Sequence, residues 1–177
     1  MKRTLHWILA WMLALAATAG AQRRNDPLTY EEINQLRDTA VFPEQRLKLY
    51  VEFARARLAA MDTMRSDRKI TDRARQTHDL LGEFVIVYDE LNDNIDTFVG
   101  RKNDIRKPLK AVIEADHEFQ AKLRALKQAA DATPAEAQQY EFVLTDATQL
   151  VDTSVDDHRK LLAELEEAER NKKKKPH

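Results

Sequence analysis

The sequence contains no cysteine among its 177 residues. This absence excludes disulfide bonds, thiol chemistry and a lipid anchor attached to a cysteine. The fold must therefore be stabilised by a packed core, and a chain of this length can bury one.

Glycine and proline are also scarce, with 3 and 5 residues. Sheet turns and phosphate-binding loops depend on glycine for left-handed backbone. Alternating apolar and polar runs, which are typical of strands, extend over only a few positions. Motifs of hydrolases, metalloproteases, phosphate loops and dinucleotide sites are missing. The sequence therefore predicts an all-α fold, a non-enzymatic role and no cofactor.

The formal charge is close to balanced, at −1, with 29 basic and 30 acidic residues. A nucleic-acid-binding protein usually carries a clear basic excess. The composition therefore disfavours nucleic acid as a partner and favours a protein or an envelope component.

Residues 1–21 have the pattern of a secretory signal peptide. Lys2 and Arg3 precede the apolar run 5–17, and Ala19-Gly20-Ala21 is a small-x-small cleavage site. Cleavage before Gln22 would leave 156 of the 177 residues, carrying 27 basic and 30 acidic groups. We expect a periplasmic or secreted protein without a membrane span in the mature chain; an uncut anchor is the alternative, although the run is short for a span.

A short helix is predicted within the otherwise loose segment 22–42. Thr29 can cap its N-terminus, with Glu32 as the capping-box partner, and the helix should end near Thr39.

Four long amphipathic helices are predicted to follow, in a domain spanning 43–171. They cover about 44–65, 70–99, 105–131 and a last segment starting at Thr133-Pro134-Ala135-Glu136, with Gly100 ending the second. We place a tight turn at Ser66-Asp67, although residues 44–99 could also form one continuous helix. Short turns between long stripes favour an antiparallel, up-down four-helix bundle packed in chain order, followed by a disordered basic tail, 172–177.

Asp116 and His158 occupy positions of the apolar stripes where an apolar residue is expected. Counting outward from a turn near residue 132 places them roughly nine residues, about 13 Å, apart along the bundle axis. We therefore expect no direct pair. Asp116 should instead accept a hydrogen bond from Tyr88 or Tyr50, with solvent exposure or a ligand role as alternatives. His158 should be partly exposed near the turn 101–104.

Metal binding has only weak support in the sequence. Glu114-Ala115-Asp116-His117 matches the Glu-x-x-His element of di-iron bundles, but these bundles use two such elements. Glu114 also points away from the stripe that contains Asp116. We therefore keep His117 and Glu114 as weak candidates and predict no metal.

Two groups of basic residues could contact an anionic surface, with simple solvation as the alternative. The first surrounds the Ser66 turn and the second is the lysine tail, and the two together could form one such surface. Their members are Arg55, Arg57, Arg65, Arg68, Lys69, Arg73 and Arg75, and Lys172, Lys173, Lys174 and Lys175.

Leu28-Thr29-Tyr30-Glu31-Glu32 resembles the Leu-Thr-x-x-Gln box of the small periplasmic chaperones and metal-stress proteins of the LTxxQ group, with glutamate in place of glutamine. The resemblance covers five residues and does not assign membership. It implies a chaperone-like or stress-adaptor role. We expect an exported helical bundle that acts through protein or envelope contacts, and a homo-oligomer is compatible with this. The alternatives are a chaperone-like or stress-adaptor protein and a metal- or ligand-binding bundle.

Overall fold

The computed structural model describes residues 27–67 and 69–174, so the predicted signal peptide and its cleavage site lie outside the described residues. The described part is all-helical and contains no strand, which confirms the predicted fold class. Its helices are α1 (Tyr30–Asp38), α2 (Pro43–Ser66), α3 (Arg73–Gly100), α4 (Arg106–Ala132), α5 (Pro134–Ala137) and α6 (Glu141–Lys174).

Helix α1 begins with the predicted capping box. The backbone N–H of Glu32 donates to Thr29 Oγ1 at 3.2 Å, and the backbone N–H of Thr29 donates to Glu32 Oε2 at 2.7 Å. Two of the unpaired donors at the helix start are thereby satisfied. The C-cap is Thr39, also as predicted.

A break between Ser66 and Arg73 separates α2 from α3. Residues 44–99 therefore form two helices, but the second begins at Arg73, and Ile70 precedes it. Gly100 is the last helical residue, and Lys102 adopts the left-handed conformation instead, with φ 60°. The N–H groups of Lys102 and Asn103 donate to the carbonyls of Val99 and Phe98, closing a Schellman turn.

The predicted start of the last helix at Thr133 is wrong. Thr133-Pro134 opens only the four-residue α5, the Thr133 hydroxyl donates back to the Ala129 carbonyl, and α6 begins at Glu141. At the other end, Lys172, Lys173 and Lys174 form the last turn of α6 rather than a disordered tail. Lys175 lies outside the described residues.

Side-chain pairs define the directions of the long helices. Three ion pairs join α2 to α4, and their residue numbers increase together along the two helices. The helices are therefore parallel neighbours; the pairs are Glu44–Lys107, Arg55–Glu118 and Asp62–Lys122. Arg46–Asn94, Arg57–Glu83 and Arg65–Thr77 show that α3 is antiparallel to α2. Lys110–Glu166 and Arg124–Asp152 show that α6 is antiparallel to α4.

The predicted packing in chain order is therefore wrong. Helix α2 packs beside α3 and α4, and α6 packs beside α4 and α3, whereas consecutive α3 and α4 do not pack side by side. Helix α3 is antiparallel to α2, α6 is antiparallel to α4, and α2 is parallel to α4. Helices α3 and α6 are therefore also parallel. The chain forms two antiparallel hairpins laid against each other.

The predicted apolar stripes face inward. In α3 the confirmed buried positions are Thr77, Leu81, Phe84, Tyr88, Leu91, Ile95 and Phe98. An aromatic cluster occupies the centre. The ring of Phe119 packs edge-on against the rings of Phe84 and Tyr88, with distances of 5.5 and 6.0 Å between ring centroids. Among the described helices, none has the length and apolar character required to cross a membrane.

Candidate functional site

Asp116 of α4 lies at the centre of a buried polar cluster. Its carboxylate is fully inaccessible to solvent, and it accepts a hydrogen bond from the Tyr88 hydroxyl at 2.6 Å on Oδ1. This confirms the predicted tyrosine–aspartate bond. Tyr50, the other predicted donor, is buried elsewhere and receives a hydrogen bond at 3.3 Å from Arg46.

His158 of α6 is the second partner of Asp116, contrary to the sequence prediction. Its Nδ1 lies 2.9 Å from Asp116 Oδ2, and the residue is only 5 % exposed. The predicted separation assumed a turn near residue 132. Helix α5 and the following turn move the centre of the connection toward residue 136, which brings residue 158 level with residue 116.

The cluster continues toward the α3–α6 interface. Asn92 Nδ2 donates to the Ser154 hydroxyl at 3.0 Å, and Ser154 lies one helical turn before His158. Asn92 Oδ1 is buried without a hydrogen-bond partner among the described residues. Ser154 lies on the predicted stripe of the last helix, but nothing in its spacing distinguishes a bonded serine from a small core residue.

Electrostatics favours the neutral phenol at Tyr88. Burial raises the pKa of Tyr88 well above its ordinary value of 10, and the negative charge of Asp116 raises it further. The phenol therefore remains a donor to the carboxylate. Opposite an ionised Asp116, which can only accept, the Nδ1 of His158 would donate the second bond.

An aspartate–histidine pair can orient an imidazole for proton transfer, as in hydrolase triads. Such a site requires a nucleophile hydrogen-bonded to the second ring nitrogen. Within the described residues, His158 forms no hydrogen bond other than that with Asp116. A groove of about 460 Å³ between α2 and α4 is lined by Ala115 but not by Asp116. The arrangement joins three helices inside the core.

The weak metal candidates are not part of a larger group of potential ligands among the described residues. His117 is exposed, with Nδ1 3.3 Å from the Gln120 amide oxygen and Nε2 2.8 Å from Arg159 Nη2. Glu114 is also exposed. No group of three potential metal ligands occurs among the described residues.

The two basic groups lie at opposite ends of the molecule, so they do not act as one surface. Arg65 donates to Glu136 Oε1 at 2.9 Å and lies over the Tyr140 ring, and Arg73 lies 3.8 Å from the same carboxylate. Lys69 is exposed at this end, and Arg68 lies outside the described residues. Lys172 lies beside the α3–α4 turn, one length of α3 away, about 42 Å.

Arg57 is a basic side chain whose position the sequence analysis predicted wrongly. It is 7 % exposed rather than part of a basic surface. Its guanidinium donates to both carboxylate oxygens of Glu32 and to the Pro27 carbonyl, and it lies 3.4 Å from Glu83. Arg57 therefore fastens α1 onto α2 and α3. Its position, three residues after buried Ala54, is the signal that could have found it.

Comparisons with known proteins supply no assignment: no family model matches the chain, and neither a curated protein nor a solved structure is significantly similar. The five-residue resemblance to the LTxxQ group thus has no support from a family model. Locally, Thr29 and Glu32 of that pentapeptide serve as the capping box of α1.

Proposed function

We propose that this chain is an exported, non-enzymatic four-helix bundle that acts through contacts with a protein or with an anionic component of the cell envelope. The supporting observation is the closure of the Asp116 cluster. Its carboxylate has both oxygens bonded internally and no accessible surface. The chemistry offered to a partner therefore lies on the outer faces of the helices.

In the proposed four-helix bundle, helices α2, α3, α4 and α6 surround one core, which includes leucine, valine, alanine and aromatic side chains. Export rests on the basic start, apolar run and small-x-small site within residues 1–21. Together these features favour a stable body that presents surfaces outside the cytoplasm.

A chaperone-like role is the second candidate, and the exposed large apolar residues favour it. Tyr30, Val41, Phe42, Ile86 and Phe142 are between 47 % and 87 % exposed. Exposed apolar groups can hold unfolded clients, although single surface residues of this kind are common. Suppression of aggregation of a denatured client, lost when Val41 and Phe42 are both replaced by serine, would favour this candidate.

Export is tested by the intact mass of the protein recovered from cell fractions. We expect a chain beginning at Gln22 in the periplasmic or secreted fraction. A cytoplasmic chain that retains residues 1–21 contradicts export.

The contact role is tested by photo-crosslinking from exposed helix positions in the native envelope. We place the crosslinking residue at Ile86 of α3 and at Lys48 of α2, with buried Leu91 as the matched control. Reproducible adducts from an exposed position, and none from Leu91, support the proposal. An absence of adducts from every exposed position contradicts it.

A further inference from the structure

The turn between α3 and α4 meets the end of α6 at one pole of the molecule. Lys102 projects from the left-handed position of this turn, and the following residues reach the last turns of α6. Lys102, Asp104 and Arg106 line a shallow groove together with Glu169 and Lys172. The structure thus joins cations that are some 70 residues apart in sequence.

Several of the cations at this pole have no ion-pair partner within 4 Å. Arg106 pairs with Asp104 at 2.5 Å, and Lys173 lies 3.7 Å from Glu169. Within the described part of the chain, the exposed residues Arg101, Lys102, Lys172 and Lys174 form no salt bridge. These four cations are therefore exposed without an ion-pair partner within 4 Å, although the whole chain is close to neutral.

Two carboxylates, those of Asp104 and Glu169, lie among these cations. The hydrogen bonds that Arg106 donates to Asp104 lower the pKa of Asp104 to about 2, so this carboxylate is ionised at neutral pH. Asp104 and Glu169 line the groove together with Lys102 and Lys172, whereas Arg101 and Lys174 are exposed outside it. A linear polyanion lying in the groove would meet these carboxylates, whereas a flat anionic surface could also contact Arg101 and Lys174, which are exposed outside the groove.

We propose that this pole, consisting of Arg101, Lys102, Lys172 and Lys174, binds the surface of an anionic lipid bilayer. Clustered lysines and arginines gain binding energy near anionic headgroups, within about one Debye length of about 10 Å. The helical last turn of α6 supports the binding because it holds the lysines in place beside Lys102. The inference rests on the proposed function in one respect: an exported chain would encounter a membrane.

Sedimentation with lipid vesicles tests the proposal on the chain from Gln22 onward, which contains every described residue. The vesicles contain phosphatidylcholine with or without about one third phosphatidylglycerol, a content at which a basic segment senses the surface potential. We expect binding only to the phosphatidylglycerol vesicles and release in about 1 M salt, because this concentration shortens the Debye length to roughly 3 Å.

The variant Lys102→Gln/Lys172→Gln/Lys174→Gln should bind at least tenfold more weakly, since each basic residue contributes about 1 kcal/mol near the surface. The matched control is Lys69→Gln/Arg75→Gln/Lys127→Gln, which removes the same charge from exposed positions toward the opposite pole. A chain truncated after Asn171 provides a second test that leaves Lys102 in place. Circular dichroism verifies that each variant remains helical.

Equal weakening in both triple variants would overturn the proposal, because net charge alone would then explain binding. Binding to soluble polyphosphate without binding to vesicles would also overturn it, as would no binding at all. Vesicle binding is measured on purified protein and the N-terminal mass on cell fractions. A failed vesicle assay with a Gln22 terminus in the exported fraction therefore contradicts only the membrane proposal, and the converse result contradicts only export.

Discussion

His158 and Asp116 join α6 to α4 through a buried contact of 2.9 Å between Nδ1 and Oδ2. Tyr88 completes the cluster from α3, on the opposite side of the carboxylate. Three helices that come from different parts of the chain thus converge on one side chain. Because buried polar groups tolerate few arrangements, the cluster fixes how the two hairpins align.

Replacing Asp116 by alanine should lower the free energy of unfolding by about 3–5 kcal/mol, since the substitution leaves two buried donors unpaired. Urea unfolding monitored by circular dichroism measures the effect. Asp157→Ala is the matched control, because Asp157 is exposed on the same helix as His158. A loss below about 1 kcal/mol for Asp116→Ala would contradict a buried, fully bonded carboxylate.

Alkaline stability should depend on Tyr88. The pKa of Tyr88 is raised by burial and by Asp116 from its ordinary 10, so the folded state holds the phenolic proton more tightly than the unfolded state does. The stabilisation is complete below pH 10 and is lost as pH rises above that value. Tyr88→Phe should reduce stability at pH 8 by about 1–2 kcal/mol and flatten its decline toward pH 11. An identical decline in both proteins would show that Tyr88 does not carry this dependence.

Acid stability should depend on Glu32. Hydrogen bonds from Arg57 lower the pKa of Glu32 below its ordinary 4.5, despite the opposing effect of burial. The stabilisation is therefore present above pH 4.5 and is lost as pH falls below it. Glu32→Gln should cost about 2 kcal/mol at pH 7 and less at pH 3. Glu31→Gln removes the same charge from an exposed neighbour and should leave the pH profile unchanged.

Cysteine crosslinking can test the order of the helices, because the chain has no native cysteine. A short dithiol-reactive reagent should link Asp62→Cys to Lys122→Cys, whose native side chains form an ion pair at 2.6 Å. It should not link Asp79→Cys to Lys122→Cys, since α3 and α4 do not pack side by side. Efficient linkage of the second pair, without the first, would instead support packing in chain order.

Local patterns in the sequence predicted the helices well. The capping box at Thr29 and Glu32 and the inward positions of α3 depend on neighbours within one or two turns. The helix-start signal at Thr133-Pro134 does begin a helix, but this helix, α5, ends after four residues. Counting from a turn at this position placed His158 too far from Asp116. An error of one residue in the centre of the turn changes the predicted pairing partner by two residues.

Other features depend on tertiary contacts that periodicity does not encode. The spacing of α2 places Arg57 beside buried Ala54, but it does not encode the contact with Glu32 of α1 that pairs the buried charge. The parallel pairing of α2 with α4 follows from ion pairs between helices that the α3 segment separates in sequence. Glycine at position 100 indicated a helix end, but the left-handed residue is Lys102, two positions later.

The most direct test that the Asp116 cluster stabilises the fold and does not take part in partner contacts is a combined measurement on Asp116→Asn/His158→Gln. Its free energy of unfolding and its photo-crosslinks from Ile86 are compared with those of the unsubstituted chain at a temperature where both are folded. We predict a stability lower by about 2 kcal/mol or more, and unchanged crosslinks. Unchanged stability together with lost crosslinks would contradict the account and make the cluster a functional site.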